Sequence, residues 1–258
     1  MLYCNHDRPA VPDRRRDIPA SACRGRAGLH LGGGAVGVVI TLDNVELRHG
    51  GRVILSGVNG RFASGSQTAV IGANGSGKTT LLRAIAGLHP LAGGRIDRVG
   101  LLPTDIALLA QGSHLDRSFP ITCRDVVALA ATRLGPFRSI GKDRLAATRA
   151  ALARVGLAEM EARPIEALSA GQFQRVLFAR TIVQDARLIL LDEPFTAVDV
   201  ATTKLLLSVI EDWHDQGRTV IAVLHDMAVV RGHFPHTLLL SGLSAEWDAI
   251  PDPGLQAA

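Results

Sequence analysis

Gly72-Ala73-Asn74-Gly75-Ser76-Gly77-Lys78-Thr79-Thr80 decides the fold of this chain through what stands on either side of it. Gln67-Thr68-Ala69-Val70-Ile71, just before it, is a short β-rich run that predicts a buried strand. Thr79 to Ala86, just after, predicts a helix closed by Gly87. A glycine-rich turn leading from strand to helix is the context that a phosphate-binding loop requires. Glycines at 72, 75 and 77 let backbone N–H groups curl around phosphate oxygens, and the helix N-terminus adds its partial positive charge. Lys78 is placed to contact the β- and γ-phosphates of a nucleotide, and Thr79 to ligate Mg2+. Lysine occurs only at positions 78, 142 and 204, so its presence here does not reflect background composition.

Further along, Leu188-Ile189-Leu190-Leu191 is continuously apolar, the pattern of a central parallel strand covered on both faces. Asp192 falls at its carboxyl end, where ligands bind in open α/β sheets. Asp192 is expected to hold Mg2+ through water, and Glu193 to polarise an attacking water. Two acids after a strand can equally cap the next helix, but the upstream phosphate loop favours chemistry. Leu168-Ser169-Ala170-Gly171-Gln172 opens a helix whose apolar residues Phe173, Val176, Leu177 and Val183 suit a buried face, so Ser169 could be an N-cap and nothing more. Thr219 to Leu224 is another β-rich apolar run, and it delivers His225 at its end.

Taken in order, these residues resemble those of an ATP-binding cassette (ABC) ATPase, the motor subunit of transporters, across about residues 39 to 241. Gly72 to Thr80 resembles the Walker A motif, Gln111 the Q-loop and Leu168 to Gln172 the signature, with Ala170 in place of the commoner glycine. Leu188 to Asp192 with Glu193 resembles Walker B, Asp199 the D-loop and His225 the switch histidine. At the A-loop, where the family places an aromatic residue on adenine, this sequence has His49, whose imidazole stacks more weakly. The resemblance implies an α/β fold: a P-loop NTPase core with a mostly parallel sheet, an N-terminal antiparallel β subdomain and a helical insertion. It implies ATP held by His49, Gly72, Asn74, Gly75, Ser76, Gly77, Lys78, Thr79 and Thr80, and Mg2+ held by Thr79, Gln111 and Asp192. Glu193, His225 and Gln111 are then the catalytic set, with His225 holding the γ-phosphate and orienting Glu193 and water. It implies also a head-to-tail homodimer, in which Ser169 and Gly171, with Gln172 and Asp199 in the same set, face nucleotide bound by the partner subunit.

Asp116-Arg117-Ser118-Phe119-Pro120-Ile121-Thr122 followed by Arg124-Asp125-Val126-Val127 looks like the matching segment of ATPase subunits from bacterial zinc and manganese uptake systems. So does Gln184-Asp185-Ala186-Arg187 running into the Walker B strand and on to Phe195-Thr196-Ala197-Val198-Asp199. The implied cargo is a divalent metal, zinc first, with iron chelates next. The implied partners are integral membrane permease subunits and, indirectly, an extracytoplasmic solute-binding protein, which puts the chain on the cytoplasmic face of the cell membrane. A soluble ABC ATPase that remodels nucleic acid or ribosomes is the rival class. Such proteins commonly carry two cassettes or long coiled-coil insertions, and this sequence has neither. Cargo metal has no evident site in the chain itself, since Cys4, Cys23 and Cys123 lack paired spacing and His233-Phe234-Pro235-His236 reads as a surface turn.

At 258 residues and 47% hydrophobic content, the chain can bury one α/β core with a helical insertion over about residues 102–165, and leaves no room for a second catalytic domain. Apolar runs stop well short of 18 residues, so no transmembrane helix is expected. The net charge is +4, and residues 1–38 supply most of it, with six arginines against three aspartates. That stretch is rich in Pro, Arg, Ala and Gly, lacks a secretory h-region and is read as a disordered or start-site extension. Arg14-Arg15-Arg16 would suit an anionic surface, but no nucleic acid is expected as a partner. An odd cysteine count without a secretion signal fits a reducing cytoplasm. Ordered chain is expected from near Val38, with antiparallel strands ending around His49; helices are expected from Cys123 with Thr122 as N-cap, over Asp143–Val155 and over Asp199–Gln216. The last of these, taken as the final helix, should turn Leu205, Val209, Ile210 and Trp213 inward. Residues 242–258 are expected to be a short tail that includes Trp247.

Overall fold

The computed structural model describes residues 38–111, 117, 119–130 and 142–249. The expected N-terminal extension, apart from Val38, lies outside them, as does the far end of the C-terminal stretch. Among the described residues a three-stranded antiparallel sheet has the order β2-β1-β4, built from β1 (Val39–His49), β2 (Arg52–Phe62) and β4 (Gly93–Val99). A six-stranded sheet has the order β5-β6-β7-β3-β8-β9, built from β3 (Gln67–Gly72), β5 (Ile106–Leu109), β6 (Leu188–Asp192), β7 (Thr219–Val223), β8 (His236–Ser241) and β9 (Ser244–Trp247). Its first five strands in that order run parallel and β9 is antiparallel to β8. The fold is therefore α/β with a mostly parallel sheet and an antiparallel N-terminal sheet, as expected.

Every residue of β6 and β7 is buried, and side-chain alternation divides them between two cores. Leu188, Leu190, Ile221 and Val223 face one core with Val70, the antiparallel sheet and α1 (Lys78–Ile85). Ile189, Leu191, Val220 and Ala222 face the other with α2 (Cys123–Ala130), α4 (Ala170–Gln184) and α5 (Val200–Asp215). Truncating one of these leucines to alanine costs about 2–5 kcal/mol, because the site cannot collapse around the gap.

Helix ends follow their local chemistry. Thr122 and Asp125 cap α2 reciprocally: Asp125 N donates to Thr122 Oγ1 at 3.2 Å while Thr122 N and Oγ1 donate to Asp125 Oδ2 at 3.2 and 2.6 Å. The bond from Thr122 holds the Asp125 carboxyl below its ordinary range. α3 (Lys142–Arg154) stops two residues before Gly156, and α5 is capped by Asp199 and closed at Gly217, both glycines having left-handed φ.

Several boundaries differ from expectation. The antiparallel strands do not end at His49, which sits at the β1–β2 turn; β2 continues and β4 joins from beyond α1. The insertion expected from residue 102 begins later, because β5 pairs with β6 inside the parallel sheet. In α5 Val209, Ile210 and Trp213 are buried as expected and Leu206 and Leu207 are buried with them, whereas Leu205 is half-buried, as Val183 is in α4. A further helix, α6 (Met227–His233), follows α5, and Phe234 within the expected surface turn is buried. Residues 244–247 form β9 instead of a tail. Its Trp247 ring meets Phe62 edge-on at 4.9 Å, and its indole N–H donates to Asn59 O at 2.8 Å, tying β9 to β2. Gly60 beneath the indole, at φ 144, has no room for a Cβ.

Trp247→Ala is expected to cost about 2 kcal/mol, less than for a fully buried tryptophan. Gly60→Ala should cost about 2–3 kcal/mol through collision with the indole and backbone strain. The double variant should lose less than the sum, because one change makes room for the other; urea unfolding of the four proteins measures this coupling.

Candidate active site

The register of the parallel sheet brings the carboxyl ends of its strands to one edge. Asp192 is opposite Val223, Gly72 is opposite Leu240, and Gln111 follows two residues after β5. The loop after β3 enters α1 through Gly77 at φ 96, and α1 has neither a side-chain cap nor an acidic residue in its first turn. Its first N–H groups are therefore left for an external anion. A Cβ at Gly75 would meet nothing within 4 Å, so the loop turns open backbone outward there. Lys78 Nζ lies along the loop and donates to Gly72 O and Ala73 O, both at 2.8 Å. Burial lowers the Lys78 ammonium pKa, against the raising influence of Glu193 and Asp192. The Ser76 hydroxyl is buried without a hydrogen-bond partner. Thr79 Oγ1 donates to Asp192 Oδ1 at 3.0 Å, and burial raises the Asp192 carboxyl despite that bond. An unpartnered hydroxyl, exposed loop N–H groups, an ammonium and a Thr–Asp pair form a donor set that fits a polyphosphate with a divalent cation.

Three neighbouring strands supply the acidic centre. Glu193 follows β6 with φ 50, its N–H donating to Val223 O at 3.2 Å. Its Oε1 is 2.9 Å from His225 Nε2, beyond β7. Its Oε2 accepts from Gln111 Nε2 at 3.0 Å, beyond β5, and from Thr196 Oγ1 at 3.3 Å. Both carboxylate oxygens are thus oriented, which is the arrangement needed to aim a carboxylate at a water molecule.

A cleft of about 660 Å³ brings together His49, Asn74, Gly75, Gly77, Lys78, Thr79, Thr80, Gln111 and Glu193; Gly72 and Ser76 belong to the same loop without lining the cleft, Asp192 is bonded to Thr79, and His225 is bonded to Glu193. Ile54 and Arg83 also line it, and the sequence reading missed both along with Thr196. Arg83 was within reach of that reading, being one helical turn beyond Thr79. Ser169, Gly171, Gln172 and Asp199 do not line this cleft. Ser169 and Gln172 close a capping box on α4, with Gln172 N donating to Ser169 Oγ at 3.2 Å and Ser169 N to Gln172 Oε1 at 3.0 Å. Asp199 Oδ1 accepts from Thr202 N at 2.7 Å, and that bond lowers its carboxyl pKa. Among the described residues no group of histidine, cysteine and acidic side chains is arranged to hold a metal ion by itself.

Residues 55–196 match the family model described as ABC transporter. The chain is 38% identical over 213 residues to the zinc transport system ATP-binding protein TroB of Treponema pallidum, covering 80% of each chain. It is 34% identical over 206 residues to the manganese transport system ATP-binding protein MntB of Bacillus subtilis, covering 78% of this chain and 82% of the relative. Its fold is like that of a dimeric ATP-binding cassette in a post-hydrolysis state bound to ADP and Pi, with a TM-score of 0.72 at 24% identity over 83% of this chain and 99% of that one.

The raised Asp192 carboxyl gives a signed prediction. A carboxyl whose folded pKa lies above its unfolded value withdraws stability as pH rises through the folded pKa, and withdraws none below the ordinary carboxylate range. Asp192→Asn, which keeps the acceptor for Thr79, should therefore raise the melting temperature of the nucleotide-free chain at pH 7. The gain should vanish below about pH 4, where Asp192 itself is neutral; thermal melts across pH measure both.

Proposed function

Because the chain belongs to the ABC transporter family as an ATP-binding cassette ATPase, we propose that it is the ATP-hydrolysing motor subunit of an importer for a divalent metal, zinc or manganese. The names of its zinc and manganese transport relatives support the choice of cargo. The cassette runs over residues 39–241, and two copies act head to tail. Each subunit's Ser169, Gly171, Gln172 and Asp199 face ATP held on the other's phosphate loop. That division of labour accounts for why the signature residues are absent from the cleft of their own subunit. Among the described residues no helix is long and apolar enough to cross a membrane. Coupling to transport accordingly falls to integral permease subunits that hold the cassette at the cytoplasmic face of the membrane, with a solute-binding protein acting on the far side.

In this proposal the loop N–H groups from Asn74 to Gly77, with Ser76 Oγ and Thr80, cradle the phosphates while His49 stacks on the base. Lys78 exchanges its bonds to Gly72 O and Ala73 O for phosphate oxygens. Thr79, Gln111 and Asp192 hold Mg2+, which when bound neutralises charge on the phosphates. Glu193 polarises the attacking water, and His225 orients Glu193 and contacts the γ-phosphate. The observation that carries this reading is the Glu193 carboxylate, held through both oxygens by residues of adjacent strands beside the phosphate loop.

Glu193→Gln should lower kcat by about 10²–10⁴-fold with ATP affinity retained. The chain purified from its native membranes should bring a helical permease with it, and zinc or manganese uptake into vesicles should stop in that variant. Recovery of ribosomal or nucleic-acid partners with no membrane subunit would overturn the transport assignment.

A further inference from the structure

Arg117 lies six residues beyond Gln111 in sequence and fifty-one before Leu168, yet it grips the start of the signature helix. Its Nη1 donates to Leu168 O at 3.3 Å, and its guanidinium carbon stands 5.1 Å from the centre of the Phe173 ring. Leu168 and Phe173 bracket the first turn of α4: Ser169 is the N-cap, Leu168 precedes it, and Phe173 N closes the first helical bond on Ser169 O at 2.9 Å. Both apolar side chains are buried, the pairing that fixes the angle at which a chain enters a helix. One guanidinium thus holds the carbonyl on one side of Ser169 and the aromatic ring on the other.

Helix stability does not explain a cation there. Positive charge at a helix N-terminus opposes the macrodipole, whereas the capping box already satisfies the end of α4. The planar fork of arginine suits the position, since it donates along its edge and stacks through its face at the same time. The positive charge also adds to the field that the N-terminus of α4 directs outward, which favours an external anion.

We propose that Arg117 is a positioning residue for ATP hydrolysis: it orients Ser169 and Gly171 toward the nucleotide of the partner subunit. The proposal rests on the head-to-tail reading given above. Among the described residues no hydrogen bond joins Arg117 to the phosphate loop or to Glu193, and it does not line their cleft, so its loss should leave a subunit's own nucleotide binding intact and damage only the step that needs the signature.

The test uses the full-length chain with Arg117→Ala, Arg117→Lys and, as a reference, Ser169→Ala, measuring kcat, KM and the MgADP dissociation constant. Arg117→Ala should lower kcat about tenfold or more while MgADP affinity stays within about twofold. Arg117→Lys, which keeps the cation and a donor but not the flat stacked face, should recover part of the rate. An Arg117→Ala protein with unchanged kcat beside an inactive Ser169→Ala protein would overturn the proposal and leave the head-to-tail reading standing. A parallel fall in kcat and MgADP affinity would also overturn it, by showing a merely structural role. Full activity in Ser169→Ala would remove the signature reading and the proposal with it.

Discussion

Everything functional in this chain depends on the registration of its parallel strands. β6 and β7 are buried on both faces, so hydrophobic patterning does not specify their register: a slip by one residue would exchange one apolar face for another. Polar contacts at the strand ends supply what patterning lacks. At the entrance Thr219 N donates to Arg187 O, and at the exit Glu193 N donates to Val223 O while Thr79 Oγ1 bonds Asp192. A slip would leave these groups buried and unpaired, at about 1–3 kcal/mol for each. The residues to which the chemistry is assigned in the proposal are thus among those that lock the sheet.

The same edge is where local preferences are overridden. Glu193 and Ala197 hold left-handed backbone without being glycine, which costs each of the order of 1 kcal/mol. Burial opposes the charge on both Lys78 and Asp192. In the free chain these groups answer one another through Thr79, the loop carbonyls and the acidic pair, contacts a polyphosphate and its cation can replace with stronger ones. Conflict between local rule and global arrangement, concentrated at one edge of one sheet, is what a binding site looks like in an otherwise consistent fold.

What the sequence disclosed, and what it did not, follows from the range of the forces involved. Strands β3, β6 and β7 and the caps of α2, α4 and α5 are written in local pattern, and the glycine loop with its lysine is local too. β4 was missed because Ile96 is its only buried hydrophobic residue and its place comes from pairing with β1 across some fifty residues. Arg98 then secures it by donating to Ile85 O at the end of α1 at 2.6 Å. β9 spans only Ser244–Trp247, and its anchor, Trp247 on Phe62, joins residues far apart in the sequence. α6 carried a readable signal in Asp226, whose Oδ1 accepts from Ala228 N at 2.8 Å, but at seven residues it falls below what periodicity can detect. Within the site, Gln111 has no local distinction at all; only the three-strand juxtaposition gives its amide to Glu193.

The signature shows why a structural and a functional reading of one residue need not compete. Ser169 caps α4 by accepting the Gln172 N–H with an oxygen lone pair, and that use leaves the hydroxyl proton unspent. A hydroxyl carries one donor beside its lone pairs, so the side chain that closes the helix can still donate to an oxygen arriving from outside. Gly171 has a reason of its own to lack a side chain, since a Cβ there would come within 3.1 Å of Ala197 O. Close packing of α4 against the segment before Asp199 therefore favours the same glycine that a close approach by phosphate would favour. Neither residue proves a nucleotide contact when taken singly. Their common placement at a helix N-terminus whose first turn holds no acidic residue is what makes a phosphate of the partner subunit the occupant proposed for it.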